Sequence, residues 1–164
     1  MVSSTAGLPR KRDKLEKLDL SHTKVTGDGL DHLKGLTELE KLYLIGDTFT
    51  DTELVHLKGL TKLKFLSLID TDITDAGLVH LRGLTNLKYL YLIGTNITDD
   101  GLVHLKGLKS LEHLDLNETL ILDAGLMNLK GLNNLEFLSL LDTQITDAAV
   151  AQLQRALPNC EIEK

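Results

Sequence analysis

The sequence predicts an α/β fold in which one strand–turn–helix unit is repeated six times. Three observations carry that expectation. The motif Leu-x-x-Leu-x-Leu begins at Leu15, Leu39, Leu63, Leu87, Leu111 and Leu135, each start 24 residues after the last. Self-similarity at such a period marks a repeat array, whose units bury their apolar faces only against each other. Within each unit the hydrophobic period changes from two to about 3.6, the change from strand to helix. The 164 residues also hold no Trp, three Phe and three Tyr, so the core must be built of leucine.

Residues 63–86 serve as the model unit. Leu66-Ser67-Leu68-Ile69 alternates and predicts a strand. Thr74 or Asp75 can cap a helix N-terminus by accepting from its free N–H groups. Leu78 and Leu81 share a helical face, and Gly83 stands where a helix C-cap favours a left-handed residue. The helix has about two turns and is marginal alone, because nucleation is costly. Gly29, Gly77, Gly101 and Gly125 recur just before the first core Leu of each helix. A helical Gly costs about 1 kcal/mol against Ala, so close packing must compensate. On a helical wheel Gly77 and Val79 lie on opposite flanks, which predicts Gly of one helix against Val of the next. Glu53 and Ala149 break this pattern.

The pattern resembles the leucine-rich repeat family, Leu-x-x-Leu-x-Leu-x-x-Asn/Cys-x-Leu, over about 144 of 164 residues (6 × 24). Ile73-Thr74-Asp75-Ala76-Gly77-Leu78 is similar to the Ile-Thr-Asp-x-Gly-Leu form of bacterial repeat proteins and of the cysteine-containing class. The resemblance implies a right-handed solenoid, a horseshoe with a parallel β-sheet on the concave face and short helices on the convex one. The sequence departs from the family at the Asn/Cys ladder position, where it has Thr23, Asp47, Thr71, Thr95, Thr119 and Thr143. A hydroxyl both donates and accepts, so a polar ladder there is possible.

The expected organisation is a leader or partial cap over 1–14, six repeats over 15–158 and a capping half-repeat over 159–164. A solenoid needs polar ends. Glu161 and Glu163 charge the last strand, whereas Val2, Leu8 and Pro9 are the only apolar cover before the first repeat. The leader carries four basic residues and one acidic, +3. The remainder has 14 basic and 23 acidic residues, −9, for a net charge of −6. That balance opposes nucleic-acid binding, which neutralises phosphates. No apolar run approaches the roughly 20 residues that span a bilayer. No apolar signal segment is visible, and the single Cys160 forms no internal disulfide. The expectation is a cytoplasmic protein without membrane contact.

No motif for catalysis or cofactor binding appears. His32, His56, His80 and His104 form a column, but helix axes about 8–10 Å apart keep its rings too far apart for a shared metal. Lys34, Lys58, Arg82, Lys106 and Lys130 form a second column, at the helix C-termini, where positive charge complements the helix dipole. Cys160 lacks an assigned base and is expected to serve the C-terminal cap. No enzyme activity, cofactor or metal is expected.

The outward strand positions are more informative. Their first column reads Lys17, Lys41, Phe65, Tyr89, His113, Phe137 and their second Asp19, Tyr43, Ser67, Tyr91, Asp115, Ser139. The third reads Ser21, Ile45, Ile69, Ile93, Asn117, Leu141. Five of the six Phe and Tyr project here, and only Phe49 takes a core position. Exposed aromatic patches mark binding sites and hot spots. The expected partner-binding residues are therefore Tyr43, Ile45, Phe65, Ile69, Tyr89, Tyr91, Ile93, His113, Asp115 and Phe137. Asp70, Glu118 and Asp142 form an acidic rim. The function expected is a non-catalytic protein-interaction module. Two alternatives stay open: self-association through the first repeat, and carbohydrate or small-ligand binding by stacking on Tyr89 and Tyr91.

Overall fold

The structure is a computed structural model that describes residues 15–25, 27–46 and 49–164. Three-residue strands recur every 24 residues: β1 Lys17–Asp19, β2 Lys41–Tyr43, β3 Phe65–Ser67, β4 Tyr89–Tyr91, β5 His113–Asp115, β6 Phe137–Ser139 and β7 Glu161–Glu163. They form one open parallel sheet in chain order. The register never slips: Leu18 pairs Leu42, then Leu66, Leu90, Leu114, Leu138 and Ile162. An identical inward leucine in every unit specifies that register, because a slip of one residue would turn it outward.

Between strands run α1 Gly27–Leu30, α2 Asp51–Leu54, α3 Asp75–Leu78, α4 Asp99–Leu102 and α5 Asp123–Leu126, with α6 Asp147–Ala156 at the C-terminal end. The first four each continue into a 3-10 run, such as Val79–Leu81 after α3. The unit thus has the expected two turns, the second wound tighter. The 3-10 period places Leu78 and Leu81 on one face, and both are fully buried. The core between sheet and helices is almost wholly leucine, with Phe49 the largest buried side chain.

Two local expectations are corrected and one open point is filled in. Gly83 is not left-handed. Gly59, its counterpart one unit earlier, has φ +102° after Lys58 at φ −59°, ψ 119°, whereas Arg82 before Gly83 is helical at φ −53°, ψ −31°. The first is a type II turn that requires Gly, and the second lacks the positive φ of that turn. The bonding of the ladder threonines, open from the sequence, is local in four of them. Thr71, Thr95, Thr119 and Thr143 each donate to the carbonyl three residues back, at 2.6–2.7 Å. Asp47 lies outside the described residues.

Nor does Gly77 meet a valine. A Cβ on Gly77 would collide with the Asp51 carboxylate of the preceding repeat and press on Leu54. Val55, Val79 and Val103 stand open to solvent. Asp51 is fixed there because its Oδ1 accepts from Thr74 N at 2.8 Å and its Oδ2 from Thr74 Oγ1 at 2.6 Å. Asp75 does the same for Thr98, and Asp123 for Thr146. The repeating Asp is therefore the inter-repeat tie, while Thr74 and Thr98 cap their own helices. Glu53 departs from Gly because repeat one has Gly27 where later repeats have Asp. With no carboxylate arriving, Glu53 turns back and accepts from Thr50 N at 2.9 Å and Thr50 Oγ1 at 2.7 Å, a capping box.

Candidate functional site

In-register parallel strands set equal positions about 4.8 Å apart, so like side chains stack along the array. The outward columns do this. Tyr43 and Phe65 have ring centroids 4.8 Å apart, and Phe65 lies 5.3 Å from Tyr91 and 6.2 Å from Tyr89. Tyr89 stacks on His113 at 4.9 Å and 22°, and His113 reaches Phe137 at 6.0 Å. Lys17 Nζ closes the N-terminal end 4.9 Å over the Tyr43 ring. One chain of rings runs from β2 to β6. Its members are half-buried, each ring covering its neighbour.

Ile45, Ile69 and Ile93 border the rings one column further along the strands and are also half-buried. Ser67, flanked in register by Tyr43 and Tyr91, is 2% exposed, and its hydroxyl finds no hydrogen-bond partner among the described residues. Beyond the isoleucines each strand ends in a tight turn. There Asp70, Glu118 and Asp142 adopt φ of 54–56°, at the position where Gly46 and Gly94 stand in other units. Left-handed backbone is unfavourable for residues with a Cβ. The acidic rim is thus held at positions where glycine is the cheaper choice.

Asp115 is the one carboxylate inside the field of rings, next to Tyr91 in register. Its Oδ1 accepts from Asn117 N at 3.0 Å. Burial pushes its proton affinity above the ordinary carboxylate range, with a further push from the Glu163 charge. Burial likewise raises the Tyr91 phenol, aided by Asp115. His113 and Asp115 share the face, yet His113 packs on Tyr89 and makes no ion pair with Asp115 among the described residues. The structure therefore brings the ten sequence-predicted residues onto one continuous surface.

The histidine column is split up by its neighbours. His56 Nδ1 lies 2.8 Å from the Asp31 carboxylate, though off line for a hydrogen bond. His104 Nδ1 faces Arg82 Nε at 3.0 Å and Nη2 at 2.6 Å. Burial, then the Arg82 charge, holds His104 below the usual histidine range. Among the described residues no three His, Cys, Asp or Glu side chains gather to hold a metal ion. Cys160 is buried and its thiol is pushed up to about 11 by burial, then by the Glu161 charge. A thiolate is the reactive form, so this thiol is chemically quiet.

One feature escaped sequence reasoning. Leu120 and Leu122 are 56% and 48% exposed, where the neighbouring units carry Asn96 and Thr98. Comparing equal positions of consecutive units would have found them. The thinly covered N-terminal end, noted from the sequence, is an apolar recess. Leu15, Leu18, Leu20, Val25, Leu33 and Leu36, with Gly29 and His32, line a recess of about 400 Å³ beside β1.

Comparison with known proteins addresses the architecture. A family model described as leucine-rich repeat matches residues 14–33 and 83–105. The matched segments fall in the first, third and fourth of the 24-residue units that build the seven-strand parallel sheet. The chain is built of leucine-rich repeats. Among solved structures, 187 chains resemble the fold. An internalin (inlF) of Listeria monocytogenes is 24% identical, over 93% of this chain and 48% of its own, with a TM-score of 0.73. Internalin C2 of the same species is 27% identical, over 90% of this chain and 69% of its own, with a TM-score of 0.59. This leucine-rich-repeat chain thus spans about half of the first internalin. No curated protein matches significantly. Among the described residues no helix is long and apolar enough to cross a membrane.

Proposed function

We propose that this leucine-rich-repeat chain is a non-catalytic protein-interaction module that binds a partner through the aromatic face of its sheet. The observation that carries the reading is the unbroken chain of rings from Tyr43 through Phe65, Tyr89, Tyr91 and His113 to Phe137. Aromatic side chains give large contact area at low entropic cost, and they dominate interface hot spots. Phe65, Tyr89 and Tyr91 are the central anchors, while Ile45, Ile69 and Ile93 exclude water. The seven strands span about 29 Å at ordinary spacing. At about 12 Å tall the outward rows alone cover roughly 350 Å², less than the ~800 Å² a standard partner covers. A partner that binds tightly must therefore also grip the rim at Asp70, Glu118 and Asp142, or the array continues in a longer protein.

The test is Tyr91→Ala. Its side chain bears no core load, so the substitution should leave the unfolding midpoint nearly unchanged while lowering affinity for a partner captured by the wild-type chain roughly 30-fold. Unchanged affinity refutes the reading. Stacking of soluble glycans on Tyr89 and Tyr91 is checked in the same assay by titration.

One observation favours a second reading. The recess at Leu15, Leu18, Leu20 and Leu36 is the kind of surface a second copy covers. Self-association through that end would show as a solution mass that rises with concentration. A constant monomer mass over a hundredfold range in light scattering removes it.

A further inference from the structure

We propose that the aromatic face seats a basic side chain, a Lys or Arg in an extended segment of a partner protein, with its stem across Tyr91 and its charge at Asp115. The proposal rests on the reading that this face binds a protein and names the chemistry of the residue it receives.

The molecule contains its own precedent. Two Tyr–Asp pairs occupy neighbouring register positions in the second outward column: Asp19 with Tyr43, and Tyr91 with Asp115. At the first pair the chain supplies the cation itself. Lys17 Nζ stands 4.9 Å over the Tyr43 ring. Asp19 is held below the ordinary carboxylate range by its bonds from Ser21, and after those by the Lys17 charge. At the second pair the first column carries Tyr89 and His113 where the first pair has Lys17 and Lys41. No Lys or Arg lies within ion-pair distance of Asp115 among the described residues. Its surroundings add negative charge, since Glu163 raises its proton affinity after burial does.

The Tyr43 pair thus has a cation of the chain's own over its ring, without a direct ion pair to the exposed Asp19, while the half-buried Asp115 beside Tyr91 has no such cation among the described residues. A half-buried carboxylate without a counter-charge is unfavourable unless something pairs it. The neighbourhood also has the shape for a long side chain. On the far side of Asp115 the column drops to Ser139, which is small and buried, before it rises again at Glu163. Tyr91 supplies a ring face for an alkyl stem or a planar guanidinium. Ile93, two residues along the strand, suits an apolar neighbour in the incoming segment. Glu118 and Asp142 on the rim extend the field that attracts positive charge. A neutral sugar could stack on the rings and donate hydroxyls to Asp115 but would bring no counter-charge, and an acidic peptide would be repelled by it.

The experiment pans a random dodecapeptide library displayed on phage against the full wild-type chain, Asp115→Asn, Asp115→Glu and Tyr91→Ala. Asparagine retains an oxygen to accept from Asn117 N, so Asp115→Asn removes the charge and spares the fold; a thermal melt verifies this. The wild type should enrich peptides with a Lys or Arg between apolar residues. Asp115→Asn should still enrich apolar peptides but lose the basic preference, and the best wild-type peptide should bind it at least about tenfold more weakly. Asp115→Glu should keep the basic preference, and Tyr91→Ala should lose both. Wild-type peptides without basic bias, or the same bias on Asp115→Asn, overturn the anchor while leaving the binding face standing. No enrichment over a blank surface overturns the face and the anchor together.

Discussion

At the C-terminal end the last leucine layer is roofed by a lengthened helix. The ten residues of α6 bury Ala149 and Leu153, and Leu157 and Cys160 follow into the same layer. Gln154 Nε2 donates to the carbonyls of Leu157 at 2.9 Å and Cys160 at 2.8 Å, which ties the helix end to the strand that follows. That strand, β7, repeats the register but shows Glu161 and Glu163 outward, and charge on an edge strand discourages pairing with another chain. At the N-terminal end the described residues offer no such roof. Leu15 is 36% exposed, and Leu18 and Leu20 are half-buried around the recess. The contrast teaches that the cap is a modified repeat: longer helix, charged strand, no new element. The described residues of the first repeat show no such modification.

The largest expected effect separates the two situations. Leu66→Ala empties a site enclosed by repeats on both sides and should cost about 2–5 kcal/mol, read as a lowered urea midpoint at unchanged slope. Leu18→Ala removes the equivalent side chain of β1, which is already half in water, and should cost less than half as much. Equal costs would mean that the recess is covered in solution, and would move the second reading of function to the front.

Much of the architecture was legible because leucine spacing reports it directly. Strand, turn and helix follow from the change of period, and register from the uniform 24-residue interval. The aromatic face was legible because strand alternation assigns inside and outside without coordinates. What stayed hidden depends on contacts between units. The tie from Asp51 to Thr74 joins residues 23 apart. The sequence offers both Thr74 and Asp75 as caps for α3 without showing that Asp75 serves the next unit. The handedness of Gly83 was hidden because glycine permits both signs of φ. Asp115 was legible as a face residue, but its missing counter-charge was not, since that depends on which side chains reach it.

The finest test concerns the inter-repeat tie, which differs between junctions. Asp51 holds both the N–H and the hydroxyl of Thr74, whereas Asp99 Oδ1 holds the N–H of Leu122 at 2.7 Å and meets no hydroxyl there. Asp51→Ala should therefore cost more than Asp99→Ala, by roughly the 0.5–1.5 kcal/mol of one net hydrogen bond. Gly77→Ala should also destabilise, because its new methyl meets the Asp51 carboxylate. Once Asp51 is alanine, most of that obstacle is gone and the helix gains about the 1 kcal/mol by which Ala exceeds Gly. The double variant should then be more stable than the sum of the two single losses, a coupling readable in a double-mutant cycle. The first junction already realises this trade: Gly27 sends no carboxylate, and position 53 carries a side chain that caps its own helix. Additive losses would show that Gly is kept for a reason other than the arriving aspartate.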